Sequence, residues 1–220
     1  MHNFIKILSV FLSALILAGC STARVEYDDK SYQTDTITVD FKIPQISGLK
    51  NKDFESELNS DIENAGNEFL NKFESTAKNI SHPSYFSGET SVYEKNGVLS
   101  LVTEINYYTQ KPHNNSFRIT KNINTETSEL LSLGDLFADS GYIDFINHTL
   151  ADMTLSNPDQ YSGLWAKPVL SENQDFYISN DSVVIYYPPY ELSYYTRGFV
   201  EFPIPLSALS GYLAEEYRSL

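Results

Sequence analysis

The chain predicts an α+β fold, an antiparallel sheet meander packed with two to three helices. Three observations carry this reading. Residues 36–43 alternate strictly, with Ile37, Val39, Phe41 and Ile43 on one side, as a half-buried strand does. Between Lys52 and Lys78, Phe54, Leu58, Ile62, Ala65, Phe69, Phe73 and Ala77 recur in steps of three and four, the stripe of an amphipathic helix. After Ser91, short strand-like runs alternate with turn residues, giving the order β-α-β-β-β-α-β-β-β-α, which segregates helices against antiparallel sheet.

In chain order, residues 1–19 hold Lys6, an apolar run from Ile7 to Leu17, and then small residues ahead of Cys20. This is a signal peptide too short for a stable membrane span. Small residues followed by cysteine match a lipobox, so Cys20 is the expected lipidation site and the first residue of the mature chain. A lipid anchor would hold the domain at a membrane surface in the bacterial cell envelope. Ser21, rather than an aspartate, follows the cysteine and favours the outer membrane facing the periplasm if the host has two membranes. Cys20 is the single cysteine, so disulfides and cysteine chemistry are not expected.

Residues 20–35 are polar and read as a tether. Pro44 is expected to end the first strand, and residues 81–88 read as a loop. Asn96-Gly97 between two apolar runs is the strongest hairpin signal. A further strand follows over residues 116–123. Residues 131–137 begin a helical piece, and Asp139 or Ser140 could cap a second helix through Ile143, Ile146, Leu150 and Met153. Residues 160–175 are irregular and hold the only tryptophan, Trp165. Residues 176–187 read as a hairpin around Ser179-Asn180-Asp181-Ser182. Pro188-Pro189 takes the chain out of the sheet, residues 199–202 return it, and residues 206–217 read as a terminal helix with Leu206, Leu209 and Leu213 inward.

The hydrophobic content of 41% suffices for a packed core. The net charge of −14 disfavours nucleic acid and anionic lipid head groups and favours encounter with basic partners. Residues 43–49, Ile-Pro-Gln-Ile-Ser-Gly-Leu, followed by the long helix, resemble the start of a deacetylase-PdaC-type accessory region. Leu131-Ser132-Leu133-Gly134-Asp135-Leu136-Phe137, Phe176-Tyr177-Ile178, Tyr190-Glu191, Gly198 and Ile204-Pro205 are similar to the RsiV-like C-terminal domain family. The resemblance divides the chain into an accessory region, residues 36–125, and a C-terminal region, residues 126–220, expected to form one compact unit. Where that family carries a Gly-Gly-Ala-His-Gly-like turn, this chain reads Gln110-Lys111-Pro112-His113-Asn114-Asn115 and keeps only the histidine. The resemblance implies a cell-envelope domain. Relatives include the outer part of anti-sigma factors that bind lysozyme and partners of peptidoglycan deacetylase domains.

Enzyme motifs are sparse. His82, His113 and His148 lack partners at zinc spacing, no Gly-x-Ser-x-Gly elbow occurs, and no Gly-rich phosphate loop or EF-hand is present, so neither metal nor cofactor is expected. The reading therefore leans away from catalysis, with a cell-wall glycan hydrolase or deacetylase-associated enzyme as the alternative. The candidate binding residues are Tyr186, Tyr187, Tyr190, Glu191, Tyr194, Tyr195 and Arg197 at the proline corner, with His113 in its turn. Tyrosine and arginine offer rigid contact area with a polar handle. The expected partner is a basic protein such as lysozyme or a peptidoglycan fragment.

Overall fold

A computed structural model of the chain describes residues 23–109 and 114–220. Cys20 and His113 lie outside these residues. The fold is α+β, as expected. It contains a seven-stranded mixed sheet and a three-stranded sheet, and it divides into two compact units.

The first unit begins with β1 (Arg24–Asp29) and β2 (Tyr32–Gln33), where a tether was expected. Both pair antiparallel with β3 (Ile37–Ser47), Val25 lying opposite Ile46 and Tyr32 opposite Val39. Val25 is 1% exposed, so even this polar stretch supplies a core residue. β3 also runs through Pro44 instead of ending there. Its neighbour β4 (Ser84–Lys95) pairs with it only as far as Phe41, so on that side Pro44 has no ladder hydrogen bond to lose.

α1 (Lys52–Ala77) joins β3 to β4. Asn51 caps it, accepting hydrogen bonds from the backbone N–H groups of Asp53 and Phe54, both at 3.1 Å. The crossover returns the chain to the same end of the sheet, and β3 and β4 are therefore parallel. This is the main departure from the antiparallel meander. The buried stripe of α1 is Leu58, Ile62, Gly66, Leu70, Phe73 and Ala77, rotated slightly from the expected one because Phe41 needs the gap above Gly66. Phe41, Phe73, Phe86 and Tyr107 make the aromatic core, with ring centroids 5.2 Å apart for Phe41–Phe86 and 5.4 Å for Phe73–Phe86.

β4 starts at Ser84, within the stretch expected as loop, because Phe86 enters this core. β4, β5 (Val98–Tyr108) and β6 (Asn115–Asn124) each contribute residues to both units. Asn96 and Gly97, at φ +44° and +85°, form the expected tight hairpin turn.

The second unit adds β7 (Glu129–Leu130), a 3-10 turn over Leu133–Leu136, α2 (Gly141–Ser156) and α3 (Pro158–Tyr161). The second sheet follows as β8 (Phe176–Ile178), β9 (Ser182–Tyr187) and β10 (Val200–Pro205), all antiparallel with β9 in the middle. The expected terminal helix is shorter. It comprises α4 (Leu206–Leu209) and a separate 3-10 turn over Glu215–Tyr217, because Leu213 is drawn into a bridge with Phe137.

Within this unit the core of Leu136, Ile146, Leu150, Ile185, Tyr187, Phe202 and Leu209 is sealed from water. A buried polar relay secures β8. Ser100 Oγ donates to Asn122 Oδ1 at 2.6 Å and accepts from the Ile178 N–H at 3.0 Å, while Asn122 Nδ2 donates to the Phe176 carbonyl at 2.9 Å.

Candidate functional site

The segment after β9 is pinned at its centre and displayed at its flanks. Leu192 is 3% exposed and inserts into the second unit's core, whereas Tyr190 and Tyr194 on either side are 56% and 68% exposed. A buried leucine between two exposed tyrosines fixes the loop without hiding its rings. The Glu191 N–H donates to the Pro188 carbonyl at 3.2 Å, and Gly198, at φ +72°, lets the chain re-enter β10.

Trp165 braces this loop. Its backbone N–H donates to the Leu192 carbonyl at 3.0 Å, and its indole Nε1–H donates to the Glu191 carbonyl at 3.1 Å. Its ring meets Tyr194 edge-on, with centroids 4.9 Å apart and planes at 81°, and remains half exposed. Tyr190 packs on Tyr195 at 5.4 Å. Arg197 Nη1 donates to the Ser162 carbonyl, which ties the residues before Trp165 to the same loop. The result is a patch of Trp165, Tyr190, Tyr194 and Tyr195, edged by Glu191 and Arg197.

Two of the expected binding residues are elsewhere. Tyr186 and Tyr187 are 2% and 1% exposed. β9 is the central strand, so both of its faces are covered. Tyr187 turns into the main core and donates its hydroxyl to the Val169 carbonyl at 2.9 Å, while Tyr186 packs with Val102, Tyr177 and Val184. Burial pushes the Tyr187 phenol up from its ordinary range, with the Glu191 charge adding to the effect. Trp165 is the residue that sequence reasoning passed over, since residues 160–175 carry no periodicity to mark it.

Tyr190 adopts φ +74°, a left-handed conformation that a bulky side chain rarely takes. The cost of such a conformation is about 1–2 kcal/mol for a residue with a Cβ. Asparagine tolerates it better. Tyr190→Asn is therefore expected to keep the melting temperature at or slightly above wild type, measured by calorimetry, while removing one of the four rings of the patch.

The Glu191 carboxyl sits above the usual carboxylate range, because burial opposes its charge and Asp175 adds repulsion. A group whose pKa is raised on folding favours the folded state at low pH and loses that contribution as pH rises through the folded value. Glu191→Gln is accordingly expected to raise the melting temperature slightly at pH 7. The gap should close as the pH falls below the unfolded carboxyl value of about 4.3, which a melting series against pH checks.

Among the described residues, no group of three or more His, Cys, Asp or Glu side chains is placed to hold a metal ion, and no helix is long and apolar enough to cross a membrane. The patch offers contact area and hydrogen-bonding edges.

Comparison with known proteins bears on this architecture. Residues 30–134 match the family model described as deacetylase PdaC, and residues 134–207 match that of a protein family of unknown function, DUF3298. The chain is 27% identical over 217 aligned residues to the anti-sigma-V factor RsiV of Bacillus subtilis (strain 168), covering 93% of this chain and 75% of that protein. A crystal structure of a DUF3298 family member from Bacteroides fragilis superposes with a TM-score of 0.63 at 17% identity, over 89% of this chain and 96% of the other. A DUF3298 family protein from Pseudomonas aeruginosa PAO1 gives 0.62 at 16% identity, over 95% and 97%. Similarity at that level speaks to the fold, and the other matches speak to resemblance: the chain is similar to RsiV over most of its length, with a PdaC-like region ahead of a DUF3298-like one.

Proposed function

We propose that this protein is a cell-envelope binding domain, anchored through a lipid on Cys20, and that it recognises a basic protein of the lysozyme type through Trp165, Tyr190, Glu191, Tyr194, Tyr195 and Arg197. The observation that carries the proposal is the exposed aromatic patch held on a braced loop. Aromatic side chains that are fixed before binding lose little entropy on contact and dominate interface energetics. The net charge of −14 supports a cationic partner, by steering encounter. Kinship with RsiV, an anti-sigma factor by name, supports a binding role over catalysis.

Calorimetric titration of residues 21–220 with a c-type lysozyme tests this, at low and at physiological salt. Saturable binding that persists at physiological salt is the expected result. Heat seen only at low salt would mean unspecific charge attraction, which is screened over about 8 Å at physiological ionic strength, and would count against the proposal.

A further inference from the structure

The first unit carries a second arrangement with the chemistry of a ligand site. Side chains alternate across β4 and β5, so Phe86 and Tyr107 point into the core beneath α1, while Tyr85, Ser87, Asn106 and Tyr108 point to the opposite face. There the rings of Tyr85 and Tyr108 lie nearly parallel, 27° apart with centroids at 6.3 Å, and Tyr85 is 52% exposed. With Asn114 they line an open groove of about 430 Å³, within the range of small-molecule sites.

Several of its polar groups are unused among the described residues. Ser116 Oγ donates to Asn106 Oδ1 at 2.6 Å, which fixes the amide and leaves its Nδ2 donors without a protein acceptor among the described residues. Neither the Tyr85 nor the Tyr108 hydroxyl makes a hydrogen bond among those residues. Ser87 Oγ makes one long contact, 3.5 Å to the Asn106 carbonyl. Among the described residues, no charged side chain lines the groove.

We infer that this groove binds a neutral pyranose unit of a polysaccharide. A pyranose presents apolar C–H faces to aromatic rings and equatorial oxygens to amide and phenol donors. A lining whose described side chains are uncharged, and that offers rings and a fixed amide, matches that pattern. The site is separate from the aromatic patch of the second unit and would serve a different ligand.

The test titrates the full-length chain, without lysozyme, with β-1,4-linked hexamers of N-acetylglucosamine and of glucose, followed by amide NMR shifts. Saturable binding of either hexamer at a dissociation constant of about 1 mM or tighter is expected, and the comparison shows whether the acetamido group is read. Tyr85→Ala should weaken it about tenfold. Asn106→Asp keeps the acceptor for Ser116 but removes the donors, and should weaken it similarly. Leu155→Ala, on α2 and outside the groove, should leave it unchanged. No saturation by about 10 mM of either sugar, or full binding by folded Tyr85→Ala, would overturn the inference. Neither result bears on the protein-binding patch.

Discussion

Gly88→Ala is expected to destabilise the protein by about 3 kcal/mol, the upper end for overpacking a core. A Cβ at Gly88 would sit 2.3 Å from Phe41 Cδ2 and 2.5 Å from Cε2. Phe41 cannot retreat. Its ring is 1% exposed, and on the other side a Cβ at Gly66 of α1 would already meet Phe41 Cζ at 2.9 Å. Two glycines therefore hold one phenylalanine between strand and helix, and Phe41 and Gly88 are direct partners in the parallel ladder. Chemical denaturation should show a lower midpoint with an unchanged slope. Phe41→Leu in the Gly88→Ala background should recover part of the loss, since it frees ring volume where the methyl enters. A variant as stable as wild type would mean that Phe41 has room this arrangement denies it.

The second large effect lies in the buried relay of the other unit. Asn122→Ala is expected to cost about 2–3 kcal/mol, because removing one partner leaves buried groups unsatisfied. The Phe176 carbonyl loses its donor and the Ser100 hydroxyl loses its acceptor, in a site where Ser100 is fully buried and Asn122 is 5% exposed. The Ser100→Ala, Asn122→Ala double variant should be less destabilised than the sum of the singles, since the two side chains serve the same strand. Denaturation of the four proteins in a cycle checks this. Additive losses would mean that each residue acts alone.

Much of the architecture is legible in the sequence because local pattern and tertiary role agree there. The alternation of Ile37, Val39, Phe41 and Ile43, the helical stripe of α1 and the Asn96-Gly97 turn all say locally what the fold uses. The departures arise where long-range pairing decides. Arg24–Asp29 is polar, and only the presence of β3 beside it makes it a strand. The parallel pairing of β3 with β4 follows from the helical crossover rather than from either strand's composition.

The candidate site was half legible. Tyr190, Glu191, Tyr194, Tyr195 and Arg197 stand together at the proline corner, and their aromatic density is visible in the chain. Tyr186 and Tyr187 share that density yet are core, since adjacent residues of a strand face opposite ways and both faces of β9 are covered. Trp165 was illegible for the opposite reason. Its role rests on two backbone carbonyls, those of Glu191 and Leu192, that lie far along the sequence.

The most direct test of the binding account is the affinity of Tyr194→Ala for a c-type lysozyme, compared with wild type at physiological salt. Tyr194 is 68% exposed, so its removal should leave the melting temperature unchanged. The account predicts a loss of affinity of about tenfold or more, the effect of removing a central aromatic anchor. Equal affinity in a variant of equal stability would contradict the assignment of the patch as the partner-binding surface.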